Sequence, residues 1–336
     1  MLVPRTLFVI ITCVLALLLV VVVLRRPAPQ SRVRWRSQVI ATLAVGDGPD
    51  AVASYTGLDG ETYGPLAFAV HGNQLCVLDT YRSQVWIRRQ AARGRASWKH
   101  IVIPDSLLEA VAWDPRTRSW LVADNGRLTV FSVARGRARP LIRLGGEKGT
   151  TSAIEQMAVG PGGQIFLSWI AAGHGTVQAV LGQYRSDGRR LHEHAVLLNQ
   201  TAFGRTASAS NVVLLSLSGV SAAPDGTLDV LGPGPSVLVV NPATLQVTAR
   251  ISLPRSARRG TLIGLTRDRH IYIVEQAFRR PAFVAAYNAE GRLLSRVALV
   301  HQALSTNVYA DVSPSGRLYL LKTTADRYRI VAITHP

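Results

Sequence analysis

"GPLAFAVHGNQLCVLDTYRSQVWI", Gly64–Ile87, holds two short apolar strands around the turn "HGN", and a carboxylate, Asp79, closes the second strand. Short apolar runs bounded by glycine and asparagine read as strands. A lone two-stranded hairpin is marginal in water, so the fold depends on whether this pattern returns. It returns as "EAVAWDPRTRSWLVAD" (Glu109–Asp124), "EQMAVGPGGQIFLSW" (Glu155–Trp169), "SGVSAAPDGTLDVLG" (Ser218–Gly232), "IGLTRDRHIYIVE" (Ile263–Glu275) and "VYADVSPSGRLYLLK" (Val308–Lys322). Each pair is followed by a third β-like run and usually a fourth, such as "RLTVFSV" then "RPLIRL" or "TVQAVLGQY" then "HEHAVLL". Gly-, Asn- and Asp-containing turns such as "SDGRR" and "NAEGR" join them. Six units of four strands predict an all-β, six-bladed β-propeller. The last unit ends in "YRIVAITHP" with only three strands, while "VRWRSQVIATLAV", Val33–Val45, has no unit of its own. Pairing the two completes the ring and hides an edge strand.

Upstream of this ring, "TLFVIITCVLALLLVVVVL", Thr6–Leu24, runs for 19 residues without a charge, long enough for one transmembrane helix. "RRPAPQSR" after it offers no small-residue cleavage site, so it reads as an uncleaved anchor. The expected layout is an anchor at 1–26, a juxtamembrane link at 27–32 and the propeller at 33–336. Orientation is contested: Arg25, Arg26, Arg32, Arg34 and Arg36 outnumber Arg5, which favours a cytoplasmic propeller. The five-residue tail before the apolar run has the form of a signal-anchor, and the reading adopted is a single-pass cell-membrane protein with an extracytoplasmic propeller. Cys13 lies within the apolar run and Cys76 within a strand, which leaves no disulfide or cysteine metal site in the propeller.

Formal net charge is +18, and of 38 basic residues only Lys99, Lys148 and Lys322 are lysine. A nucleic-acid binder gathers its arginines on one face or in a run with aromatics. Here the densest groups, Arg88–Lys99 and Arg135–Arg143, fall in expected edge strands and loops. The arginines read as solvated surface with an affinity for polyanions, and nucleic acid is set aside as a partner.

The opening stretch resembles an NHL repeat: Gly72, Val77, Asp79, Thr80 and Val85 match that motif. Arg82 stands where the motif has Asn, and Gln84 where it has Arg. The second unit keeps Asp124 and Asn125, and later units keep the hydrophobic pattern and the turn. The resemblance implies a propeller whose relatives include binders, lyases and sensor ectodomains, so it constrains function weakly.

Two columns of equivalent positions carry the candidate chemistry. Leu66, Glu109, Glu155, Ser218, Ile263 and Val308 begin the innermost strands and are expected to ring one mouth of the channel. Two adjacent carboxylates there suit a hard cation or a cationic ligand group, or else simply face water. Asp79, Asp124, Trp169, Gly232, Glu275 and Lys322 close the second strands, with Asp79 and Asp124 read as structural turn residues. Trp169, beside the glycine-rich "IAAGHG" and His174, is a candidate exposed aromatic platform for a ligand. Six-bladed gluconolactonase-type enzymes hold a divalent cation with acidic and Asn ligands. Glu109, Glu155 and Asp311 could supply the acids for calcium or another divalent cation, but Asn125, Asn211 and Asn307 fall outside matching strand starts. His192 and His194 share a strand face without a third ligand. The preferred reading is a monomeric, membrane-tethered binding, scaffold or sensor propeller with no cofactor, for a protein or an anionic cell-surface polymer. The alternative is a metal-dependent hydrolase or lactonase.

Overall fold

Each repeat folds as a four-stranded antiparallel sheet, because its second strand is apolar at nearly every position and must be covered on both faces. Trp120–Ala123 and Leu75–Leu78 are buried throughout, whereas an outer strand such as Val247–Ser252 alternates between half-buried and exposed. The computed structural model describes residues 36–89, 97–144, 151–173, 176–197, 220–223, 225–231, 235–244, 246–277, 280–299 and 302–334. The expected span Thr6–Leu24, the link at 27–32, Val33–Trp35, His174, Asn211 and Ser218 lie outside them. Among the described residues no helix is long and apolar enough to cross a membrane.

The chain enters with β1 (Arg36–Val45), a short β2 (Ala51–Val52) and a hairpin of β3 (Tyr55–Thr56) and β4 (Thr62–Tyr63). Blade 1 is β5 (Ala67–His71), β6 (Gln74–Asp79), β7 (Gln84–Arg89) and β8 (Trp98–Val102). Blade 2 is β9 (Leu108–Asp114), β10 (Ser119–Asp124), β11 (Thr129–Ala134) and β12 (Arg137–Arg143). Blade 3 is β13 (Thr151–Val159), β14 (Ile165–Gly173), β15 (Thr176–Tyr184) and β16 (Arg190–Leu197). Blade 4 is β17 (Val220–Ala222), β18 (Leu228–Leu231), β19 (Ser236–Val240) and β20 (Val247–Ser252). Blade 5 is β21 (Thr261–Leu265), β22 (Ile271–Ala277), β23 (Arg280–Tyr287) and β24 (Leu293–Ala298). Blade 6 is β25 (Ala310–Val312), β26 (Leu318–Thr324), β27 (Arg327–Thr334) and, outermost, β1.

Each inner strand packs on the next around the ring, β5 on β9, β9 on β13, β13 on β17, β17 on β21, β21 on β25, and β25 back on β5. The cores lie between blades. Phe68 and Trp86 of blade 1 meet Tyr319 and Tyr328 of blade 6, Leu78 meets Trp120, Leu121 meets Leu167, Phe166 meets Val230 and Leu231 meets Ile273. Two glycines show how closely sheets approach. Gly188 and Gly291, in the last turns of blades 3 and 5, hold φ near +84° and +76°. A Cβ there would sit 2.2 Å from Leu141 O and 1.9 Å from Ser252 O, in the outermost strand of the preceding blade or just after its end.

Closure follows the expected strand exchange. β1 lies outside β27, and Val45 N donates to Asp326 O at 2.9 Å. Blade 1 then clasps the incoming chain. Arg82 donates to Gly46 O at 2.6 Å, Gly48 O at 2.8 Å and Ala51 O at 2.5 Å. Trp98 Nε1 donates to Thr42 O at 3.1 Å, and Arg88 donates to Ile40 O.

Candidate functional site

In a meander of four strands, the turn between second and third strands and the connector to the next blade share one mouth of the ring. It is called here the connector mouth, and the other two turns form the hairpin mouth. Antiparallel register brings the two columns together at the connector mouth, with Asp124 opposite Leu108 and Trp169 opposite Ile154.

Glu109, Glu155 and Ile263 each occupy the extra position of a β-bulge at the start of an inner strand. A bulge re-aims the side chain of the unpaired residue, so the three blades turn these residues away from ordinary pleat positions. Asn125 locks the acidic sector. Its Nδ2 donates to Glu109 Oε2 at 2.6 Å and to Ile154 O at 3.2 Å, while its Oδ1 accepts from Ile154 N at 2.7 Å. One amide thus ties blade 2 to blade 3. Burial raises the Glu109 carboxyl above the usual carboxylate range; the Asn125 N–H opposes that rise and the nearby Glu155 charge adds to it. Glu155 is exposed. Neither acid forms an ion pair with a described residue, despite the arginine content of the chain.

Asp311 does not join them. It stands one residue before the end of β25, toward the hairpin mouth, and bridges the seam between blades 6 and 1: its Oδ2 accepts from Val70 N at 2.7 Å. Its Oδ1 accepts from Val312 N at 2.8 Å. Burial pushes this carboxyl up to about 7, against the lowering effect of the Val70 and Val312 N–H groups. Among the described residues no three His, Cys, Asp or Glu gather as metal ligands. The Oδ1 of Asn125 is turned to the backbone of blade 3.

The acids of the second column have a common task that strand pattern alone did not reveal. All three reach back to the connector that feeds their own blade; among the described residues Trp169 does not, and Gly232 lies outside them. Asp79 Oδ2 accepts from Ala53 N at 3.0 Å. Asp124 accepts from Leu107 N at 2.8 Å and Ser106 Oγ at 3.0 Å, and also from Gly126 N at 2.9 Å in its following turn. Glu275 accepts from Ser256 Oγ at 3.2 Å, from Tyr287 Oη and from Arg296. In blade 6 the position slips by one, and Thr323 Oγ1 accepts from Leu304 N at 3.0 Å. Burial raises the Asp79 carboxyl, opposed by the Ala53 N–H and the Arg82 charge.

Trp169 corrects the expectation of an exposed platform. It is 8% exposed and packs with Ile154, Val180 and Tyr184, because Gly182 opposite leaves room for its ring. It lines a cleft of about 650 Å³ between blades 2 and 3, which Arg143, Gln178, Arg190 and Glu193 also line. The apolar surface of the connector mouth lies elsewhere. Tyr55 and Tyr81 stack at 5.5 Å and are 51% and 40% exposed, Leu107 is 46% exposed, and Leu58 at the hairpin tip is fully exposed. Nothing in the spacing of these residues marks them; only the topology gathers them.

No protein-family model matches the chain, and no curated protein matches it. Solved structures do. A luciferin-regenerating enzyme is 11% identical with a TM-score of 0.52, over 90% of this chain and 95% of that one. A gluconolactonase, XC5397 from Xanthomonas campestris, is 13% identical with a TM-score of 0.50, over 78% and 82%. The WD40 β-propeller domain of Doa1 is 12% identical, with a TM-score of 0.47 over 88% and 96%. At such identities the likeness shows the fold alone.

Proposed function

We propose that the chain is a membrane-tethered six-bladed propeller that binds a protein through its connector mouth, without turnover. The observation that carries this reading is the mixed rim of that mouth. Stacked Tyr55 and Tyr81, with Leu58 and Leu107, offer desolvatable surface, and Glu109 and Glu155 supply unpaired charge. Exposed aromatic and aliphatic groups within a polar surround mark interaction sites. Thr6–Leu24 as anchor and an extracytoplasmic propeller complete the proposal.

The rival, a divalent-metal hydrolase of the gluconolactonase type, draws on the shared fold. Metal-assisted hydrolysis requires several converging ligands and an open coordination position, and Asp311 is directed to Val70 N at the far end of its strand. Calorimetric titration of the full chain with calcium and with manganese separates the two readings. No saturable heat is expected. Tight one-to-one binding that disappears in Glu109→Gln would replace the binder with the enzyme. Photo-crosslinkers at Leu58 and Leu107 are expected to capture a protein in native membranes where one at Arg189 does not.

A further inference from the structure

The arginines that look scattered in sequence are sorted by the meander. The hairpin mouth collects the first and last turns of every blade, and the exposed charged residues described there are mostly arginine. Arg116 and Arg118 come from the first turn of blade 2, Arg135 and Arg137 from the last turn, Arg267 from blade 5 and Arg317 from blade 6. None of these six ion-pairs with a described residue. Of the exposed acids in the same turns, Asp187 is paired with Arg185 and Asp225 with Arg269, leaving Asp268 and Glu290.

Backbone conformation adds a second observation. Arg118 and Arg135 hold φ of +53° and +51°, in the left-handed region that glycine occupies without strain. Arg269, in the same region, uses its guanidinium on buried Asp229. Arg118 and Arg135 make no side-chain hydrogen bond or ion pair among the described residues, so the strain they carry serves no such contact there.

The connector that feeds blade 1 is the reverse. From Ser37 to Tyr81 the chain contains no lysine or arginine, and this connector carries Asp47, Asp50, Asp59 and Glu61. The direction of β1 links this polarity to the amino terminus. Its last residue, Val45, bonds Asp326 at the connector mouth, so its first residues lie at the hairpin mouth. The eleven residues 25–35 separate β1 from the apolar run Thr6–Leu24, a reach of at most about 40 Å.

We propose that the hairpin mouth docks on an anionic lipid bilayer through these arginines, leaving the connector mouth turned toward the aqueous phase and its partner. The proposal rests on the reading of Thr6–Leu24 as a membrane anchor. It supplies an orientation that the anchor alone does not. An arginine near an anionic headgroup surface strengthens association about fivefold, and the effect fades within a Debye length.

The test uses the full chain with two membranes, phosphatidylcholine alone and phosphatidylcholine with about one third phosphatidylglycerol. Flotation with the neutral vesicles checks the anchor. Hydrogen exchange on membrane-bound protein then reads the face. Exchange at 115–118 and 135–137 is expected to slow several-fold on the anionic membrane only, and to recover in about 0.5 M salt. The turns 81–83 and 125–128 at the other mouth are expected to keep equal rates on both membranes. The variant Arg118→Gly/Arg135→Gly, which relieves backbone strain and so keeps the fold, weakens the association about 25-fold at about fivefold per arginine and is expected to reduce the slowing correspondingly. Equal rates at every turn, or slowing at the connector mouth, overturns the docking while leaving the anchor intact. Failure to float on neutral vesicles, with salt-sensitive flotation on anionic ones, removes the anchor and keeps the arginine face. No flotation on either, with salt-sensitive binding to soluble polyphosphate, overturns both in favour of a polymer ligand.

Discussion

Replacing Arg82 by methionine keeps the aliphatic stem and deletes the guanidinium that holds Gly46, Gly48 and Ala51. Each of these bonds joins a charged donor to a carbonyl. In a half-exposed setting the three together are worth about 2–4 kcal/mol, because water replaces part of what is lost. For a domain of this size 1 kcal/mol shifts the melting temperature by about 2 °C, so Arg82→Met is expected to melt roughly 4–8 °C lower. The loop at 46–52 is also expected to become a protease site, since its carbonyls lose their only described side-chain anchor. Arg82→Lys is expected to recover less than half of the loss, because an ammonium cannot spread three donors over three carbonyls. Tryptophan fluorescence of the full chain in detergent follows the melting, and mass spectrometry locates the cleavage. A methionine variant that melts within about 1 °C of the parent, with an uncleaved loop, would refute the claim that blade 1 clasps the closing strand.

Other expectations are as direct. Asp311, with a folded pKa pushed up to about 7 against roughly 3.9 in an unfolded chain, binds a proton more readily when folded. The stability it contributes is full below pH ~4 and is lost as pH rises through ~7. Asp229, pushed up to about 6 by burial against the Arg269 charge, adds the same sign at lower pH. Asp311→Asn is expected to flatten the fall in urea stability between pH ~4 and ~7; an undiminished fall would remove Asp311 as its source. Gly188→Ala forces a Cβ onto Leu141 O at a left-handed backbone, and a loss of about 2 kcal/mol or more is expected in chemical denaturation. Asn125→Ala is expected to lower stability by about 1–3 kcal/mol and to raise the Glu109 carboxyl further, which infrared titration would detect.

Architecture was legible because strand, turn and period repeat, and because the leftover strand at Val33–Val45 matched the missing strand of the last unit. Side-chain work between blades was not. Asn125 looks like an ordinary turn residue until register sets Ile154 beside it, and Arg82 looked like a departure from the NHL motif rather than the clasp of the ring. Trp169 followed from the strand column but not from burial, which depends on Gly182 across the sheet. The charge pattern is dispersed along the chain, and only the strand topology assigns each arginine to a turn and so to one mouth or the other.

The pairing of β1 with β27 joins residues about 280 positions apart, the longest-range ladder in the ring. During synthesis β1 is therefore made about 280 residues before β27 and has only the short β2 beside it until then. A chain that stops short of β27 leaves the other side of β1 and the last strand made as raw edges, each ready to add to another chain. The strand exchange thus makes closure of the ring wait for β27, and products terminated before it should be aggregation-prone or rapidly degraded, whatever the quality of the blades they already contain.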